Sequence, residues 1–247
     1  MEQQQHFVLV HGAAHGAWCW YKVETLLKSA GHKVTSLDMA ASGINPKQAN
    51  EVISDSVYYE PLTKFMESVS EEEKVVLVAH SLTGLGITAA MERFPDKIFV
   101  AVFVAAAMPG LTLTGEDIRN ENDKKPLPMD NEFGDDGTLT YGPEYLKTYM
   151  YQLCTPEDFT LATKLVRPVH FFIQDETQLT KENYGSVRRA YVITGEDEVW
   201  GQAVQQYNID NNPPVFKQEI QSSGHMVMLS KPHELYTSFL AIVEHFL

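Results

Sequence analysis

Two cysteines in 247 residues, Cys19 and Cys154, are too few for a disulfide framework and match no metal-binding spacing. Positive charge is also scarce: 19 lysines and arginines stand against 33 aspartates and glutamates, for a formal net charge of −14. Without a basic stripe, so acidic a chain is poorly suited to a nucleic acid or an anionic membrane surface. No apolar run is long enough to span a bilayer, and the opening Met1-Glu2-Gln3-Gln4-Gln5 is polar, with no apolar signal core. Internal repeats and low-complexity tracts are missing as well. These absences predict a globular, cytoplasmic protein with neither a nucleic-acid nor a membrane partner. The length suits one large α/β domain carrying an insertion.

What is there centres on Val75-Val76-Leu77-Val78-Ala79-His80-Ser81-Leu82-Thr83-Gly84. A continuous apolar run is how a parallel strand buried on both faces reads, and a helix-like segment follows it. A sharp strand-to-helix turn would push Ser81 out at the carboxyl end of the strand, as in a nucleophile elbow. That turn is usually Gly-x-Ser-x-Gly, and here Ala79 and Thr83 replace both glycines.

The rest of the chain alternates around this stretch. Phe7-Val8-Leu9-Val10 reads as a strand stopped by His11-Gly12-Ala13-Ala14-His15-Gly16. Residues 17–30 read as a helix with Trp18, Tyr21, Leu26 and Leu27 near one face and Gly31 as its carboxyl-terminal cap. Residues 33–38 predict a strand, 40–50 a loop, 59–69 a helix, 85–94 a helix and 98–104 a strand. Such alternation implies a parallel sheet with right-handed crossovers. It breaks at Met108-Pro109-Gly110, beyond which Gly, Pro, Asp and Asn are frequent and short helices are expected at 145–151 and 156–165. It returns with strands at 189–193 and 215–220 and a final helix at 232–246. The expected fold is α/β: a mostly parallel central sheet flanked by helices. Residues 1–108 and 181–247 form its core, and 109–180 form a cap inserted over the carboxyl ends of the strands, where open α/β sheets bind ligands.

A serine hydroxyl needs a base to take its proton, and the base needs an acid to orient it. In an α/β-hydrolase these follow in the order Ser, acid, His, each from a loop at the carboxyl end of a strand. Behind the strand ending at Ile193 lies Thr194-Gly195-Glu196-Asp197-Glu198, which offers three carboxylates. Behind the strand ending at Ile220 lies Gln221-Ser222-Ser223-Gly224-His225-Met226, which makes His225 the base. The oxyanion of acyl transfer needs two backbone donors. The N–H of Leu82 is one, and the loop after the first strand supplies the other through Ala13, with Gly12 allowing close approach to the serine.

The chain resembles the plant methylesterase family of small α/β-hydrolases, which also includes the plant hydroxynitrile lyases. The matching residues run nearly end to end, through His6-Phe7-Val8-Leu9-Val10-His11-Gly12, His15-Gly16-Ala17-Trp18, Trp20-Tyr21-Lys22, Ala30-Gly31-His32-Lys33-Val34-Thr35, Ala40-Ala41-Ser42-Gly43-Ile44, Tyr184-Gly185-Ser186-Val187 and Gly224-His225-Met226-Val227-Met228-Leu229-Ser230. The resemblance implies Ser81, Asp197 and His225 as the triad, which singles out Asp197 over Glu196 and Glu198. It also implies Ala13 and Leu82 as oxyanion donors, a small-molecule ester as substrate, no cofactor and often a homodimer.

Hydroxynitrile lyases of the family carry a threonine or an asparagine at the Gly12 position, and those with the threonine carry a lysine at the Met226 position. Methylketone synthase relatives lose the serine and the acid. The pattern here therefore favours a serine carboxylesterase for small methyl esters of plant hormones or specialised metabolites, alkaloid-type esters included. A carbon–carbon lyase or cyclase and a catalytically weak or non-catalytic binder are the alternatives. Gly12, Ala14, Met150, Leu153, Phe172 and Met226 are the candidate substrate-binding residues, with Leu161 and Phe171 also on the cap. Trp18, Trp20, Tyr21 and His80 read as structural, and Thr83 as buried packing. Residues 110–141 look shorter than is usual in the family, which would open or reshape the acyl pocket.

Overall fold

The computed structural model describes residues 4–122, 130–170 and 177–247. Its strands are β1 (His6–Val10), β2 (Lys33–Leu37), β3 (Val75–His80), β4 (Ile98–Val104), three short ones, β5 (Glu132–Phe133), β6 (Thr138–Thr140) and β7 (Val169–His170), then β8 (Arg189–Thr194) and β9 (Phe216–Ile220). Six of them form one sheet in the order β2-β1-β3-β4-β8-β9, and every neighbouring pair is parallel. The order reverses direction at β1, between β2 and β3. That makes the carboxyl ends of β1 and β3 the switch point, where this kind of sheet opens a crevice.

Alternation of side chains along the strands sends two apolar sets to opposite faces. Phe7, Leu9, Val76, Val78, Val100, Val102 and Val104 join the core on one side with Trp20, Leu27 and Phe239. Val8, Val10, Val75, Leu77, Ala79, Ala101 and Phe103 join the core on the other with Leu62, Met66, Ile87 and Met91. The helices are α1 (Tyr21–Ser29), α2 (Asp55–Tyr58), α3 (Glu60–Ser68), α4 (Gly84–Arg93), α5 (Gly115–Asn122), α6 (Pro143–Tyr145), α7 (Pro156–Leu165), α8 (Gln202–Asn211), α9 (Val227–Ser230) and α10 (Pro232–Phe246). Thus α1 and α10 cover the first face, and α3 and α4 the second. Among the described residues no helix is long and apolar enough to cross a membrane.

Local chemistry sets the helix ends. After α1, Gly31 takes φ +89°, its N–H donates to the Lys28 carbonyl, and the His32 N–H donates to the Leu27 carbonyl. This is the Schellman closure expected of a glycine just past a helix. Ser54 caps α2 by accepting from the Val57 N–H, and Thr155 caps α7 by accepting from the Asp158 N–H. The final helix begins at Pro232, whose fixed φ suits a first turn.

Between β4 and β8 the chain leaves the sheet and builds α5, an antiparallel β5-β6-β7 ribbon, α6 with a continuing helical turn over Leu146–Met150, and α7. The α5 helix and the ribbon fall in a stretch whose composition reads as irregular. Polar contacts anchor this insertion to the sheet layer. The Arg167 guanidinium donates to the carbonyls of Gly43, Asn45 and Lys47, and the Lys22 ammonium meets the buried Asp158 carboxylate at 2.6 Å.

Candidate active site

Ser81 stands immediately beyond β3 with φ +60°, a left-handed backbone that a non-glycine residue adopts only under constraint. The constraint is visible on both sides of the turn. The Ser81 carbonyl accepts from the Ala107 N–H at 3.0 Å, and the Thr83 hydroxyl donates to the His80 carbonyl at 2.9 Å. Thr83 is therefore buried as expected, and its hydroxyl is spent inside the turn. The replaced glycines leave Ala79 and Thr83 without solvent exposure. The glycine the elbow cannot lose is Gly84, where an added Cβ would lie 1.8 Å from the Ala107 carbonyl oxygen.

The hydroxyl of Ser81 lies 3.1 Å from Nε2 of His225, whose Nδ1 lies 2.9 Å from Oδ2 of Asp197. A carboxylate only accepts, so Nδ1 carries the proton and the Nε2 lone pair faces the serine. All three groups are nearly enclosed, at 6% exposure for Ser81, 2% for His225 and 4% for Asp197. Glu196 and Glu198, by contrast, point into solvent. The reason lies in the turn after β8. Oδ1 of Asp197 accepts from the N–H groups of Val199 and Trp200, both at 2.8 Å, and Oδ2 accepts from the Thr194 hydroxyl at 2.9 Å.

His80, read as structural, donates from Nε2 to the His225 carbonyl at 2.8 Å and lies against the His225 ring with centroids 4.5 Å apart. Burial, with His225 nearby, pushes its pKa well below the ordinary imidazole value and keeps it uncharged.

Gly12 backs directly onto the elbow: a Cβ there would meet His80 Nδ1 at 2.8 Å and the Ser81 Cβ at 3.1 Å. Ala13 and Ala14 share one small apolar cluster with Leu139 and Val169 of the insertion, and Leu82 packs against it. The loop after β1 and the residue after the serine are thus neighbours. Of the other candidate pocket residues, Met150 and Met226 are buried in the same core cluster. Leu153 falls outside that cluster and is 39% exposed, and Leu161 is exposed as well. Phe171 and Phe172 lie outside the described residues.

A sequence model of the α/β hydrolase family matches residues 7–237. The chain belongs to that family. Methyl jasmonate esterase 1 of Vitis vinifera is 46% identical over 99% of both chains, and salicylic acid-binding protein 2 of Nicotiana tabacum is 41% identical over the full length of both. Among solved structures, tomato methylketone synthase I complexed with 2-tridecanone superposes with a TM-score of 0.95 at 42% identity. That match covers 99% of this chain and all of the other.

Several residues that complete this α/β hydrolase site carry little or no sequence signal. Gln205 on α8 accepts from the Thr194 N–H and donates to the Thr194 carbonyl, the Thr194 hydroxyl and the Trp200 carbonyl, bracing the acid turn. Gln152 of the insertion donates to the Glu196 carbonyl at 2.9 Å. The spacing of Thr194 and Asp197, three apart in one turn, hints at their bond; Gln205 and Gln152 give no such hint. Tyr141, Tyr145 and Tyr149 stack ring on ring with centroids 5.1 Å apart. Their regular spacing of four residues is a signal that could have found them.

Proposed function

We propose that this protein is a serine carboxylesterase that hydrolyses small methyl esters through an acyl-enzyme, with Ser81 as nucleophile, His225 as base and Asp197 as its orienting acid. The observation that carries the reading is the hydrogen-bonded series from the Ser81 hydroxyl through His225 to Asp197, at the carboxyl ends of β3, β9 and β8. His225 Nε2 takes the Ser81 proton as Oγ attacks the ester carbonyl. The N–H groups of Ala13 and Leu82 hold the oxyanion of the tetrahedral intermediate. Collapse breaks the bond to the methoxy oxygen, which leaves as methanol with the proton from His225. A water deprotonated by His225 then attacks the acyl-Ser81 ester, and the carboxylic acid and free serine are regenerated. These steps use only residues of this chain and water.

Residues 109–180 act in this reading as the cap that shapes the acyl pocket. Gly12, Ala14, Met150, Leu153 and Met226 are its candidate substrate-binding residues among those described. The likeness to proteins named for methyl jasmonate and salicylic acid supports a plant hormone or a specialised metabolite as the acyl part. A bulkier alkaloid ester fits the same chemistry. A cytosolic location and a homodimer belong to the same proposal. Two unpaired cysteines agree with a reducing compartment, and light scattering of the purified chain tests the dimer.

A lyase is the second reading, favoured by the superposition on a protein named for ketone synthesis. Gly12 and Met226 weigh against its cyanohydrin form. The deciding experiment is turnover of p-nitrophenyl acetate, methyl salicylate, methyl jasmonate and an alkaloid methyl ester, with mandelonitrile cleavage alongside. Ester hydrolysis that disappears in Ser81→Ala is the expected result. A folded protein that cleaves none of these esters would sink the esterase reading.

A further inference from the structure

Two imidazoles outside the triad grip the backbone of the loop after β1. Nδ1 of His11 lies 2.7 Å from the Gly12 carbonyl oxygen, while its Nε2 accepts from the Met39 N–H at 3.1 Å. Nδ1 of His15 lies 2.7 Å from the Ala13 carbonyl oxygen, while its Nε2 lies 2.7 Å from the Tyr151 hydroxyl. A carbonyl oxygen only accepts, so in both rings Nδ1 carries the proton. For His11 the Met39 N–H enforces that tautomer. For His15 the hydroxyl proton of Tyr151 does so by donating to Nε2.

The two carbonyls belong to the two peptide planes that flank the Cα of Ala13. The Gly12 carbonyl is the other end of the peptide whose N–H is the Ala13 donor, and it also accepts from the His15 N–H at 3.3 Å. A hydrogen bond to a peptide oxygen polarises the N–H at its far end and fixes the plane in which that N–H points. Next along, Ala14 sits at φ +65° with its carbonyl accepting from the Arg167 N–H at 2.9 Å. His15 is itself held between the rings of Trp18 and Tyr151, with centroids 5.5 and 5.9 Å away. Burial keeps both imidazoles neutral, lowering His11 and pushing His15 down to about 3.

We propose that His11 and His15 are positioning residues that lock and polarise the two peptide planes around Ala13, and that Tyr151 transmits the position of the insertion to the oxyanion donor through His15. The proposal rests on the esterase reading, in which the Ala13 N–H meets the oxyanion. In the chain order Tyr151 O–H, His15, Ala13 carbonyl, a residue of the insertion sets the tautomer of a residue in the core loop. If the insertion shifts, the His15 proton is free to move to Nε2, and the Ala13 carbonyl loses its donor.

The test measures kcat and KM on the best ester, with thermal unfolding as a check on folding. An asparagine amide reaches the place of a histidine Nδ1, whereas a glutamine amide reaches that of Nε2. His11→Gln is expected to lower kcat about 10- to 100-fold, a part of the loss seen when a whole oxyanion donor is removed, with KM within about twofold. His11→Asn is expected to recover most of it. Tyr151→Phe is expected to lower kcat about 3- to 10-fold in the native background, but to change nothing in a His15→Asn background, where the donor to Ala13 no longer depends on the hydroxyl. Unchanged kcat in His11→Gln and Tyr151→Phe would overturn the proposal. So would equal losses in the two His11 variants, or losses carried by KM. Should His11→Gln fail to fold, the Tyr151 and His15 variants decide alone. Ester hydrolysis that survives Ser81→Ala would instead defeat the esterase reading, a result distinct from any of these.

Discussion

The turn after β8 reaches Ser81 through His225 and the loop after β1 backs directly onto it, yet the two are held by opposite means. Backbone N–H groups and a hydroxyl in the acid turn converge on the side chain of Asp197. In the loop after β1, side chains converge on backbone carbonyls, His11 on Gly12 and His15 on Ala13. The first arrangement aims a side chain and so depends on which residue stands there. The second aims a peptide plane, so the residue between the two gripped carbonyls, Ala13, can be as plain as alanine. Sensitivity to substitution should therefore sit on position 197 in one loop, and on positions 11 and 15 rather than 13 in the other.

The largest effects test the acid side. Ser81→Ala should abolish turnover, and Asp197→Asn should lower kcat about 10⁴-fold, because an amide no longer enforces the proton on His225 Nδ1. Glu196→Gln and Glu198→Gln, at exposed positions, should leave kcat within about twofold. If either costs as much as Asp197→Asn in the same assay, the assignment of the acid is wrong.

Next in size is a stability effect at the elbow. Gly84→Ala places a Cβ against the Ala107 carbonyl and should destabilise by about 2–4 kcal/mol in urea unfolding, through overpacking of a site that cannot relax. A change below about 1 kcal/mol would show that α4 can move away from the segment that follows β4.

The buried imidazoles predict the pH response. His11, His15 and His80 all have folded-state values below the ordinary one, through burial in each case. Below about pH 6.5 the unfolded chain binds protons that the folded chain refuses. Stability therefore falls as pH falls, by up to about 1.4 kcal/mol per pH unit for each histidine. For His15 the loss runs from about pH 6.5 down to its folded value of about 3. Thermal midpoints measured from pH 8 to pH 4 should drop along this slope, and His15→Asn should make it shallower. A flat profile over that range would mean that these rings accept protons in the folded state.

The smallest effect separates packing from chemistry at Thr83. Thr83→Ala removes the bond to the His80 carbonyl and should cost about 1 kcal/mol, with kcat within about threefold. A tenfold fall in kcat at unchanged stability would place the hydroxyl in the reaction after all.

Much of the site could be read from the chain because it rests on local patterns. The run from Val75 to Val78 announces a buried parallel strand, the break at Ser81 announces a turn, and loops containing Asp197 and His225 follow at strand ends in the required order. The α8 helix escaped this reading. Two of its buried residues are amides, Gln205 and Asn208, so its apolar period is blurred. The β5-β6-β7 ribbon escaped it too, because strands of two or three residues are too short for alternation to show.

The strands, the serine at the turn and the loops that hold Asp197 and His225 were legible in the chain, since strand periodicity and turn chemistry act over a few residues. The folded chain shows the inward turn of Asp197 beside exposed Glu196 and Glu198, and it brings the His11 and His15 rings onto backbone carbonyls. The tautomer of His15 depends on a partner far away along the chain, since His15 and Tyr151 are separated by 136 positions. A hydrogen bond of that kind has no local signature, because it exists only once two separately folded segments are brought within about 3 Å of each other.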